Sequence, residues 1–130
     1  FKLNDCSTQR NLNDDGIKQS KKIGKFFLKN EIKIDKVLSS EWCRCKDTAK
    51  FAFKEYIVFD ALNSFYDPRF RKNKSTQIKK LKDYIINWNG QKNLVLITHF
   101  VVISEVLNTA SDSGEIIISD KEFNIIARIK

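Results

Sequence analysis

The chain is poor in several residue types, and each shortage removes a class of function. It has one histidine, His99, in 130 residues, and its three cysteines, Cys6, Cys43 and Cys45, form no C-x-x-C pair. That ligand supply argues against a zinc site, and no other metal or cofactor motif is present. No apolar run approaches eighteen residues, which excludes a membrane-spanning helix in these residues. Arginine is scarce too: Arg10, Arg44, Arg69, Arg71 and Arg128 stand against a formal charge of +8 that lysine mostly supplies. The lysines are scattered on helix faces, and no basic helix interleaved with aromatics occurs. The charge therefore reads as a solvated surface, with no nucleic-acid partner. Where lysine serves solubility, the few arginines stand out for the planar fork that grips phosphate or carboxylate.

What the chain does have is alternation of helix and strand. At 130 residues it is long enough to bury roughly two-thirds of its unfolded surface as one domain. Asn13 or Asp14 starts a helix to about Lys29, with Ile17, Ser20, Ile23, Gly24, Phe27 and Leu28 facing inward. Lys36–Ser40 reads as a short strand, 42–56 as a helix, Ile57–Phe59 as a strand and 75–88 as an amphipathic helix. Asp60–Lys74 is one long aromatic and basic connection holding the only proline, Pro68, of the kind that covers a site. Leu94–Ile97 is a continuous apolar run after a polar turn, read as a fully buried parallel strand, and a helix follows His99. Glu115–Ser119 and Phe123–Ile129 close the chain as a hairpin. The whole reads as α/β, three layers with a mostly parallel, mixed sheet. The pattern begins on a helix, as it would if the sheet's first strand were absent, and residue 1 is Phe rather than Met. The chain thus reads as a processed product, an expressed piece or a fragment.

Two strand ends carry the chemistry. His99 lies at the C-terminal end of its strand, where open α/β sheets place ligands, though it can also be read as capping that strand. Ser39-Ser40 ends another strand, and Arg44 falls in the first turn of the next helix, where helix-start amides add partial positive charge. By itself Arg44 reads as a surface ion pair. With His99 on a parallel neighbour, it makes a pocket for a dianion.

Ser39-Ser40-x-x-x-Arg44-x-x-x-Thr48-Ala49 resembles the S-S-P-x-x-R-A-x-x-T-A segment of the histidine phosphatase (phosphoglycerate mutase-like) superfamily. Leu94–His99 resembles its V-V-x-H-G strand, and Arg10-Asn11-Leu12 through Gly16 with Gln19 resembles its R-x-L-x-x-x-G-x-x-Q-A helix start. The D-C-S-x-Q-R run from Asp5 to Arg10, Gly114-Glu115 and the closing Ile125–Ile129 are similar to a small bacterial branch, a branch 1-type domain. The resemblance covers essentially the whole chain.

It implies a phosphomonoesterase working through a phosphohistidine, on a small phosphorylated molecule or phosphoprotein, or a phosphate-binding module of the same fold without activity. Arg44 maps onto a phosphate-gripping arginine and His99 onto the second histidine, and Arg10 is a further phosphate-binding candidate, or else pairs with Asp14 or Asp15. The family's nucleophile lies in an R-H-G motif on the first strand, which places it upstream of Phe1. Phe100 stands where the family has glycine, and inward packing is the reading adopted for it. Ala61–Ser64 occupies the place of the usual proton donor, leaving Glu115 as the local candidate, with an edge-strand carboxylate as its alternative. Tyr66, Arg69 and Arg71 hint at an anionic or ring-bearing group, against a reading as loop anchors. Cys6 pairs with Cys43 or Cys45 if the protein is exported, while an odd count fits a reduced compartment equally. Localisation is thus open between cytoplasm and periplasm, and so is the oligomeric state.

Overall fold

The computed structural model describes residues 1–130. Chain packing divides them into two compact units, Phe1–Asp60 with Gly90–Ile97, and Ala61–Asn89 with Thr98–Lys130.

In the first unit, helix α1 spans Asp14–Lys29. The Asn13 side chain accepts a hydrogen bond from the Gly16 amide at 2.8 Å, and Asp14 and Asp15 complement the positive helix start. Its buried face carries Ser20 and Gly24 and packs on helix α2, Cys43–Phe53. A Cβ on Gly24 would lie 2.2 Å from the Ala52 carbonyl oxygen, so glycine sets how closely the helices approach. Phe27 meets Phe53 edge-on at 5.0 Å. Leu28 departs from the sequence reading: it is 81% exposed, while Ser20 and Gly24 are the buried residues of the helix.

Three strands form a parallel sheet in the order β2-β1-β3: β1 is Ile34–Ser39, β2 Ile57–Val58 and β3 Asn93–Ile97. Ser39 is in register with Ile97, and the Ser40 amide donates to the Ile97 carbonyl at 3.0 Å. Val37 and Leu38 are buried beneath α2. Strand β3 is parallel as read, but Leu94–Ile97 are half-buried rather than fully buried. The reason is position: β3 is an end strand, paired only with β1 in its sheet.

In the second unit, the connection after β2 is not structureless. It forms 3-10 turns at Asp60–Leu62 and Pro68–Asn73, the latter capped by Asp67. Ala61, Leu62, Ser64 and Phe65 are buried. Helices α3, Lys74–Asn87, and α4, Phe100–Leu107, pack on each other, and each has one fully buried residue, Leu81 and Val102, both 1% exposed. A Lys74–Glu105 ion pair at 2.7 Å links them at the surface. Strands β4, Ile116–Ser119, and β5, Ile125–Ile129, form an antiparallel hairpin, with the Asp120 carboxylate accepting from the Glu122 and Asn124 amides in its turn. No helix is long and apolar enough to cross a membrane.

Candidate functional site

Arg44 sits in the first turn of α2, half-buried, directly after the disulfide-bonded Cys43. The loop that delivers it is rigidly specified. Ser39 and Ser40 are fully buried, and the Ser40 hydroxyl accepts from the Trp42 amide at 3.1 Å. Trp42 lacks a capping side chain, so the start of α2 is satisfied from elsewhere. The Gln9 side chain does this: its Oε1 accepts from the Cys43 amide at 3.0 Å, while its Nε2 donates to the carbonyls of Lys2 and Leu3. Sequence reasoning missed Gln9. It was visible only as one letter of the D-C-S-x-Q-R run, with nothing local to say that it caps a helix 34 residues later.

The disulfide joins Cys6 to Cys43, with Cα atoms 5.7 Å apart, which chooses between the two pairings the sequence left open. Cys45 stays a thiol; burial pushes it up to about 11, with the nearby Arg44 charge opposing, so it is no nucleophile at neutral pH. Arg10 is exposed in the segment between the Cys6–Thr8 turn and α1.

His99 is 6% exposed and is the N-cap residue of α4. Its backbone carbonyl accepts from the Val102 and Ile103 amides, while its ring makes no capping bond. The preceding residue is fixed as well: Thr98 Oγ1 donates to the Leu62 carbonyl at 2.6 Å.

Phe100 corrects the sequence reading. It does not pack inward: it is 57% exposed and meets Tyr66, itself 65% exposed, at 5.7 Å between ring centroids. On the same helix Val102 is the buried residue, at 1% exposure.

Glu115 is also corrected. Its side chain is 1% exposed and paired with Arg128, Oε2 to Nε at 2.6 Å and Oε1 to Nη2 at 3.1 Å. The Arg128 hydrogen bond, followed by that from the Asp112 amide, holds its carboxyl down to about 2. A group that acidic carries no proton at neutral pH to donate. Arg128 also bonds Thr109 Oγ1 and the Ala110 carbonyl, so the pair ties the hairpin to the chain after α4.

Two shallow depressions mark the surface, one lined by Phe27, Leu28, Glu31, Ile32 and Lys33, the other along α3 by lysines, Ile78 and Ile86. Neither contains Arg44 or His99. No group of three or more histidine, cysteine or acidic side chains is arranged to hold a metal.

No protein-family model matches the sequence, and no curated protein matches it. Among solved structures, the chain is similar to the protein histidine phosphatase SixA complexed with tungstate, at 17% identity and a TM-score of 0.61, over 92% of this chain and 83% of that one. The chain has a phosphoglycerate mutase-like fold. Within the first unit, the strand ends that precede Arg44 and His99 in the chain, Ser39 and Ile97, are in register.

Proposed function

We propose that this chain is a phosphomonoesterase-type domain of the histidine phosphatase kind, in which Arg44 and His99 hold the phosphoryl group of a small phosphorylated molecule or phosphoprotein. The observation that carries the reading is the register of β1 and β3, whose C-terminal ends lead within a few residues to the chain's half-buried Arg44 and its single, buried histidine. The SixA likeness supports it through an oxyanion, since tungstate, bound in that protein, is tetrahedral like phosphate.

In this chemistry a neutral imidazole attacks phosphorus, the ester P–O bond breaks, and the leaving alkoxide takes a proton. Water then displaces the imidazole and releases inorganic phosphate. Arg44 serves as a planar donor to equatorial oxygens, worth most where water is scarce, and His99 as a hydrogen-bond donor to the same group. Arg10 adds a further cationic contact. His99 is the only histidine in the 130 residues, so the attacking imidazole is assigned to sequence outside them, on an R-H-G strand. The same fact favours a second reading, in which the chain binds phosphate without hydrolysing it.

Calorimetric titration with inorganic phosphate and with tungstate tests the shared claim. Arg44→Ala and His99→Ala should each weaken binding roughly ten- to a hundredfold, the loss of a charge-assisted hydrogen bond. Unchanged affinity in both variants would remove these residues from the site. Hydrolysis of an aryl phosphate by a longer chain that carries the R-H-G strand separates the enzyme from the binding module.

A further inference from the structure

Phe100, the residue after His99, and Tyr66, which meets it, are two large aromatic side chains that stand in water. Burying a tyrosine or phenylalanine removes roughly 150–250 Å² from solvent, so rings kept for packing are pressed inward. In the same loop that is what Phe65 does: it is 6% exposed, with the Lys74 ammonium 5.9 Å from its ring. Tyr66, the next residue, does the opposite at 65% exposure, and so does Phe100 at 57%. The loop thus has its anchor already, and Tyr66 is not needed as one.

The backbone that carries the exposed pair is held in place. Thr98 Oγ1 ties the Leu62 carbonyl to the His99 segment, and the Gln77 amide reaches the carbonyls of Ala61 and Asn63. The Tyr66 amide donates to Ser64 Oγ at 3.2 Å, and Arg71 Nη2 donates to the Tyr66 carbonyl at 2.9 Å. Phe100 is fixed by the first turn of α4, adjacent in the chain to His99. The rings lie 5.7 Å apart at 56°, and each remains more than half exposed. A preorganised ring pair loses little conformational freedom on binding, and that is what makes stacking sites effective.

We propose that Tyr66 and Phe100 form a stacking platform for a planar ring in the substrate, so that the site favours aryl and other aromatic-ring phosphomonoesters over aliphatic ones. The proposal rests on the reading of His99 as a phosphate ligand, and it adds the class of the esterified group.

The test compares binding of phenyl phosphate, methyl phosphate and inorganic phosphate to the full chain by calorimetry. Phenyl phosphate should bind about five- to tenfold more tightly than methyl phosphate, the advantage expected of one added aromatic contact. Phe100→Ala, Phe100→Leu and Tyr66→Ala should each cut that ratio at least about threefold, and Tyr66→Phe, which keeps the ring, should preserve it. Equal binding of the two esters, or a ratio that survives both alanine substitutions, overturns the platform while leaving the phosphate site standing. If inorganic phosphate and methyl phosphate both fail to bind, the phosphate reading itself has failed and the platform falls with it.

Discussion

Glu115 shows how far a residue's role depends on what the fold places beside it. In the sequence it is a carboxylate at the start of an edge strand, available as an acid. Thirteen residues later Arg128 closes on it, and its carboxyl falls to about 2 from an ordinary value of 4.5. Because the folded form is the more acidic, the unfolded chain binds more protons. The stabilisation is therefore complete above about pH 4.5 and disappears as pH falls toward about 2. Glu115→Gln should lower Tm at neutral pH, and the gap to the unsubstituted chain should narrow as pH is taken from 5 to 2.5. A gap that stays constant across that range would mean that the pair does not carry the effect. Phe100 teaches the same lesson from the other side. A phenylalanine in place of glycine was readable as a departure, but its direction was not, because helix position and the Tyr66 contact decide it. His99 and Arg44 were legible as candidates because both follow strand ends, a feature that the sequence pattern itself carries.

At the scale of elements, helices were read well where their ends are chemically marked. Asn13, Asp14 and Asp15 announce α1, and its observed span, Asp14–Lys29, follows them. Strand β3 was placed well but its burial was overstated, since an apolar run does not reveal whether a strand is central or terminal in its sheet. The α1–α2 contact offers a prediction in which two effects oppose. Alanine at position 24 would gain about 1 kcal/mol of helix propensity over glycine. Its Cβ, however, meets a backbone oxygen at 2.2 Å, which cannot yield without moving a helix. Overpacking of this kind costs about 1–3 kcal/mol, so Gly24→Ala should destabilise in chemical denaturation. A more stable variant would contradict the close approach. The disulfide, too, acts between elements. It closes a loop across a separation of 37 residues, for which chain entropy gives a stabilisation of roughly 4 kcal/mol. Reduction should lower Tm by roughly 10 °C or more. Thiol titration of the denatured, unreduced protein should find Cys45 alone, and three reactive thiols there would refute the bond. Its existence was not legible, because Cys6 can reach either Cys43 or Cys45 on spacing alone; the Gln9 bond to the Cys43 amide shows which side of α2 the segment meets.

For the whole molecule, the α/β class and a parallel sheet followed from helices alternating with short strands, whereas the antiparallel strands, read as the edge of one mixed sheet, form a separate two-stranded sheet. The division into two compact units was not visible, since no composition shift, linker or glycine-rich stretch marks Asp60 or Ile97. The charge of +8 remains a property of dispersed lysines, while the chemistry is assigned to a few arginines and one imidazole. That single imidazole makes the central claim directly measurable. In a ¹H–¹⁵N spectrum tuned to histidine rings, only His99 contributes, so its signals need no further assignment. Added phosphate should move them saturably, and Arg44→Ala should weaken that response at least about tenfold. Ring signals that ignore phosphate, or that respond identically without the Arg44 guanidinium, would contradict the account.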